Sequence, residues 1–169
     1  QDGHIDEYVE MIHLKTAVLL SCALQVGAAI AGASVEEREH IGAYGEHLGL
    51  AFQLRDDLLD AFGDPGKVGK QVGGDLRAGK KTYLLIRGLE LSLAAGRHEL
   101  REELAKAPTD RNVPRMLNVL EELGVRTETE AEVHKHDAQA MAALAALNVP
   151  VERKAALTQL AATLLQRTS

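Results

Sequence analysis

The sequence predicts an all-α fold, and three features carry that expectation. Apolar residues make up 46% of the 169-residue chain, yet aromatics are only 3% and Trp is absent. That composition suits helices better than strands, which favour β-branched and aromatic side chains. Apolar positions recur every three or four residues through most of the chain, the helical period. No sustained alternation, internal repeat or low-complexity linker interrupts them, so residues 1–169 read as one helical domain with a substantial core.

In chain order, Asp6 is placed to cap a first helix that is under way by Tyr8. Tyr8, Ile12, Ala17, Leu20 and Leu24 give it an apolar face, and it ends near Gly32. Lys15 and Thr16 break that face; a lone Lys there usually snorkels to solvent. Ser34 offers the next N-cap, with Glu36 and Glu37 in the first turn complementing the helix dipole. A long helix is expected from Val35 to about Phe62, with Gly42, Gly45 and Gly49 along it. Those glycines cost helix stability unless a neighbour or ligand must come close. Asp64-Pro65-Gly66 is turn chemistry. Helices then follow over 80–95, 98–106, a stretch around Met116 to Gly124, 127–147 and, from Pro150, the last one.

Charge and cysteine usage exclude several classes. The formal net charge is −6 with no basic run, so nucleic acid is not an expected partner. The single Cys22 forms no internal disulfide and reads as a small buried residue in a reducing cytoplasm. Residues 17–33 carry no charge but are mostly Ala and Gly around Gln25. A span needs about 20 strongly apolar residues, so this run is expected to be a buried helix rather than a membrane span. No charged-then-apolar leader is legible at the amino end.

The chemistry concentrates in FQLRDDLLDAFGDPGKVGKQVGGDLRAGKKTY, residues 52–83. Asp56, Asp57 and Asp60 stand at i, i+1 and i+4, which places Asp56 and Asp60 on one helix face with Asp57 beside it. Like charges so close repel, and are either solvated or share a cation. Mg²⁺ takes hard oxygen ligands, commonly one or two carboxylates plus substrate phosphates and water. From the acids alone, a solvated face and a metal site are equally open. The glycine-rich loop that follows carries Lys67, Lys70, Lys80 and Lys81, and lysines serve as point charges for phosphate. It is no P-loop: five residues separate Gly63 from Gly69, and Gln71 stands where Ser or Thr is required. Carboxylate–metal plus lysine remains as the mode of holding a polyanion. His134 and His136 are expected to face solvent, and His40 and His47 are two turns apart, too far to share a metal.

FQLRDDLLD followed by GDPGKVGKQVGGDLRAGKKTY resembles the second aspartate-rich region of the trans-isoprenyl diphosphate synthases, and EMIHLKTAVL is similar to that family's Lys-Thr helix. The D-D-x-x-D motif alone is weak; combined with Lys-Thr upstream and Gly-Lys…Gly-Asp…Lys downstream it is specific. The resemblance implies the carboxyl-terminal portion of an all-α isoprenoid synthase helical bundle, from a Mg²⁺-dependent prenyltransferase condensing an allylic diphosphate with isopentenyl diphosphate. It implies that Asp56, Asp57 and Asp60 hold Mg²⁺, with Asp56 the direct ligand. Lys15, Lys70 and Lys80 would contact the allylic diphosphate, Thr16 and Gln53 would stabilise the allylic cation, Phe52 would line the homoallylic side, and Asp75 would position the loop. A homodimer is also implied.

The family's first aspartate-rich motif, its isopentenyl diphosphate-binding basic residues and its Gln/Asp pair all belong upstream and are absent from this sequence. The chain is therefore expected to need the amino-terminal half as partner and to be inactive alone. A non-catalytic subunit of a heteromeric synthase and a class I terpene cyclase are the alternatives; the Lys-Thr helix and double-glycine loop favour chain elongation.

Overall fold

The computed structural model describes residues 4–64 and 72–165, and among these every regular element is helical. In chain order they are α1 (Ile5–Ile12), a π-helical turn (His13–Ala17), α2 (Val18–Ile30), α3 (Val35–Phe62), α4 (Gly74–Ala78) and α5 (Tyr83–Ala94). There follow α6 (Glu99–Leu104), a 3₁₀ turn (Pro108–Asp110), α7 (Val113–Glu122), α8 (Val125–Ala146) and α9 (Val151–Leu165). The expected all-α class is what the chain adopts. The described residues form two compact units: 54–131 with 4–9, and 10–53 with 132–165.

In the first unit, Leu54, Leu58 and Ala61 of α3 are buried, as are Leu84, Leu85 and Ile86 of α5, Leu100 of α6, and Met116, Val119 and Leu120 of α7. Thr82 starts α5 by accepting a hydrogen bond from Leu85 N at 3.3 Å, and Asn112 starts α7 by accepting from Arg115 N at 3.0 Å. Pro114 lies in the first turn of α7, where its missing N–H costs nothing. Gly88 lets α5 close on its neighbours: a Cβ there would stand 2.3 Å from Leu120 Cδ2 and 3.1 Å from Leu100 Cδ1. Glu103 is only 1% exposed, and burial of a carboxylate is tolerated only with full pairing. Lys106 Nζ at 2.8 Å, Arg115 Nη1 at 3.1 Å and Asn112 N at 2.9 Å provide it.

The second unit is built on the amino-terminal part of α3. Ser34 Oγ accepts from Glu37 N at 3.2 Å while Glu37 Oε2 accepts from Ser34 N at 2.8 Å, a reciprocal capping box. Ile41, Tyr44 and Leu48 form a core with Ala140 and Leu144 of α8 and Ala161 of α9. Tyr44 donates to the Leu157 carbonyl at 2.7 Å, and burial, with the Asp137 charge, pushes its hydroxyl up to about 12. The three glycines of α3 admit a neighbouring helix: Cβ atoms would meet Gln25 Nε2 at 2.4 Å from Gly42, Leu24 Cδ1 at 2.8 Å from Gly45 and Ala17 Cα at 2.7 Å from Gly49.

Several expectations are corrected. α1 starts at Ile5, so Asp6 lies in its first turn rather than at the cap. Beyond Ala17, which is buried, the 17–33 run is not: α2 has no buried residue, and Val18, Leu19, Val26 and Ile30 are exposed. The contacts at the glycines of α3 come from Ala17, Ser21, Leu24 and Gln25. Cys22 is an exposed free thiol, not a core residue. By length and composition Ile5–Ile30 could cross a membrane, although its α3-facing side is occupied by protein. His136 is half-buried rather than fully solvent-facing, with its Nδ1 3.2 Å from Nδ1 of His47, while His134 is exposed as expected.

Candidate active site

The candidate site residues fall on elements of both units. In the first unit, α3 presents Asp56, Asp57 and Asp60 in three different environments: exposed, buried and half-buried. Asp60 is anchored to the stretch after the loop. Its carbonyl accepts from Gly73 N at 2.6 Å and its Oδ2 accepts from Asp75 N at 2.9 Å. That geometry requires the chain to turn sharply on either side of α4, and Gly73 (φ 78°) and Gly79 (φ 71°) supply the left-handed conformation. Asp75 then binds Lys80 twice: its Oδ2 accepts from Lys80 Nζ at 2.6 Å and its carbonyl accepts from Lys80 N at 2.9 Å.

Electrostatics at this cluster are those of a carboxylate excess. Burial, above all, pushes the Asp60 carboxyl above its ordinary value; the neighbouring charges of Asp75 and Asp56 add to this, against the Asp75 N–H and Lys80. For Lys80, desolvation pulls the ammonium down. The hydrogen bond to Asp75 and the charges of Asp75, Asp57 and Asp60 together outweigh it, and the net shift is upward. Asp57, 3% exposed, accepts on Oδ2 from the hydroxyl of Tyr8, itself 4% exposed. Burial and then the Asp57 carboxylate drive that hydroxyl far above its usual range.

These oxygens fit a hard divalent ion. Asp56 is exposed to take one, and Asp60 carries negative charge that a cation would relieve. Among the described residues no three His, Cys, Asp or Glu side chains are gathered to enclose a metal by themselves. An ion here would take one or two carboxylates and complete its shell with phosphate oxygens and water, which is the habit of Mg²⁺.

In the second unit, Lys15 and Thr16 lie in the π-helical turn His13–Ala17. Such one-turn widenings recur at functional positions because they re-aim side chains within a helix. Thr16 Oγ1 donates to Gln53 Oε1 at 3.3 Å, so these two expected site residues are brought together. Lys15 is exposed and Phe52 half-buried. Lys70 lies outside the described residues. Sequence reasoning missed the π turn and the Tyr8–Asp57 hydrogen bond; the position of Tyr8 on an apolar face marked it as core alone.

The sequence model of the family described as Polyprenyl synthetase matches residues 1–120. The chain is 35% identical over 170 residues to the (2E,6E)-farnesyl diphosphate synthase of Mycobacterium tuberculosis, covering 98% of this chain and 47% of that protein. It is 45% identical over 86 residues to the short chain isoprenyl diphosphate synthase of Methanocaldococcus jannaschii, covering 51% of this chain and 26% of that one. Among solved structures, a geranylgeranyl pyrophosphate synthase superposes with TM-score 0.86 at 40% identity, over 100% of this chain and 53% of that one. The geranylgeranyl pyrophosphate synthetase of Pyrococcus horikoshii also gives 0.86, at 30% identity over 98% of this chain and 50% of that one. The chain thus spans about half the length, or less, of the relatives it matches. Its helices and its sequence agree on one assignment: the chain belongs to the polyprenyl synthetase family.

Proposed function

We propose that this chain supplies the allylic-diphosphate side of a prenyltransferase that condenses an allylic diphosphate with isopentenyl diphosphate. The observation that carries the reading is the Asp60–Asp75–Lys80 linkage, which sets a carboxylate excess beside a fixed ammonium. A diphosphate bridged by a divalent cation is complementary to both. Asp56, Asp57 and Asp60 hold Mg²⁺ in this reading, with Asp56 the direct ligand; when bound, the ion neutralises charge developing on the departing diphosphate. Lys15, Lys70 and Lys80 bind the same diphosphate as point charges.

The allylic C–O bond breaks and the diphosphate leaves with the electron pair. Thr16 and Gln53, paired at 3.3 Å, set their dipoles against the allylic cation, fixed before the charge appears. Phe52 lines the homoallylic side. The isopentenyl double bond attacks the cation to form the new C–C bond, and the proton lost afterwards goes to the released diphosphate. Condensation needs a second metal-binding wall, and the reading includes partner polypeptide supplying it, an assembled homodimer and a reducing cytoplasm. The exposed thiol of Cys22 is compatible with the last.

Asp56→Ala in the complete protein tests the reading. Mg²⁺-dependent pyrophosphate binding, followed by calorimetry, should be lost while helix content by circular dichroism is kept. Unchanged affinity would return the acids to a solvated helix face.

A further inference from the structure

We infer that Tyr8 is a positioning residue for the aspartate-rich face, acting through Asp57. The inference rests on the metal–diphosphate reading of Asp56–Asp60 and adds to it a residue outside the motif.

Two of the three carboxylates are braced from elsewhere in the first unit. Asp60 is held by Asp75 N at 2.9 Å, and Asp57 by the Tyr8 hydroxyl on Oδ2. A buried carboxylate survives only when its oxygens are engaged, and an O–H bond to an ionised oxygen is among the stronger hydrogen bonds a protein makes. With Oδ2 committed to the phenol, rotation of the Asp57 carboxylate is stopped and its second oxygen keeps one direction. Among the described residues none is hydrogen-bonded to the Asp56 side chain, which is exposed, so the fixed pair defines the face on which Asp56 closes.

Tyr8 is suited to the task because it is itself immobilised. Its ring meets Tyr83 edge-on, with centroids 6.3 Å apart and planes at 69°. Tyr83 donates to Glu128 Oε1 at 3.3 Å, and Arg87 Nε donates to the same oxygen at 2.7 Å. The brace therefore runs from α1 through α5 to the start of α8. Partners of this kind, one bond behind a metal ligand, typically change metal affinity by about 10–100-fold when removed.

The test uses the complete protein, with Mn²⁺ as probe and inorganic pyrophosphate present, reading free Mn²⁺ by electron paramagnetic resonance and folding by circular dichroism. Tyr8→Phe is expected to weaken Mn²⁺ binding by about tenfold or more, while Tyr83→Phe, which leaves Tyr8 and Asp57 in contact, stays within about twofold. In an Asp57→Leu background, Tyr8→Phe should add less than about twofold, because the interaction is already broken. Unchanged affinity in Tyr8→Phe overturns the inference, as does an equal loss in Tyr83→Phe or a full further loss in the Asp57→Leu background. If Tyr8→Phe alone fails to fold, the comparison of Asp57→Leu with the double variant still decides, since replacing both partners by apolar groups leaves neither of them buried and unpaired. Failure of the unaltered protein to bind Mn²⁺ with pyrophosphate overturns the metal–diphosphate reading itself. Normal wild-type binding that Asp56→Ala abolishes and Tyr8→Phe spares overturns the Tyr8 inference alone.

Discussion

Gly49→Ala is the sharpest probe of the contact that fixes the Lys-Thr turn. The added Cβ would lie 2.7 Å from Ala17 Cα and 3.2 Å from both Ala17 Cβ and N. Carbon atoms pack best at roughly 3.5–4.0 Å, so the two helices must separate by about 1 Å. Ala17 cannot rotate away, because the atom in the path is backbone. Ala gains about 1 kcal/mol over Gly in a helix, whereas overpacking a tight contact costs about 1–3 kcal/mol. The clash wins, for a net loss of up to about 2 kcal/mol, or up to roughly 4–8 °C in Tm for a chain of this size. Gly27→Ala is the control. A Cβ there meets nothing within 4 Å, so only the propensity gain of roughly 0.5–1 kcal/mol remains and Tm should rise. Thermal unfolding followed by circular dichroism reads both. A Gly49→Ala protein that melts at or above wild type would refute the close-approach account of α3's glycines.

Two pH effects follow from pairs that packing has buried. Hydrogen bonds from Lys106 first and the Asn112 amide second, with Arg115 assisting, hold the Glu103 carboxyl at about 2 against its desolvation. A depressed carboxylate stabilises the fold above its unfolded value of about 4.3 and loses that contribution as pH falls toward the folded value. Glu103→Gln should therefore lower Tm at pH 7 and flatten the Tm profile between about pH 4.5 and 2; an unchanged acid limb would count against the pairing. His136 is held below its ordinary value by burial first, then by His47, with Lys135 adding and Glu132 and Glu46 opposing. The unfolded chain then takes the proton first, so stability is full above about pH 6.5 and declines as pH falls through it. The Tm difference between pH 7.5 and 5.5 should shrink in His136→Gln, and an equal difference would sink this assignment.

Much of the fold was legible because it depends on local chemistry. The Ser34 cap with its two following glutamates announces α3, and the spacing of Ile41, Tyr44 and Leu48 announces the face it buries. The glycines of α3 signalled a close approach, but only the structure identifies Ala17, Ser21, Leu24 and Gln25 as the approaching groups. The π turn was not legible, since one extra residue per turn leaves an apolar pattern of i, i+3, i+4 nearly intact. The short α4, framed by Gly73 and Gly79, read as loop because five residues are too few for periodicity. The Tyr8–Asp57 and His47–His136 pairs join residues 49 and 89 positions apart, a distance across which no local pattern reports. The exposure of α2 had a different origin: hydropathy says that a face seeks burial, and 18–30 finds little of it among the described residues.

The division of α3 between two compact units has a consequence for the order of assembly. Leu54–Ala131 is nearly continuous in sequence and can close as it leaves the ribosome. Ile41, Tyr44 and Leu48 are made earlier, yet their cover, Ala140, Leu144 and Ala161, comes about a hundred residues later; the Tyr44–Leu157 bond spans 113 positions. Contacts of such separation form slowly, after the loop-closure entropy has been met. The first-synthesised stretch of α3 is thus the last to be packed. Its three glycines keep that stretch a poor helix on its own, so Ile41, Tyr44 and Leu48 gain their cover only when the final helices arrive.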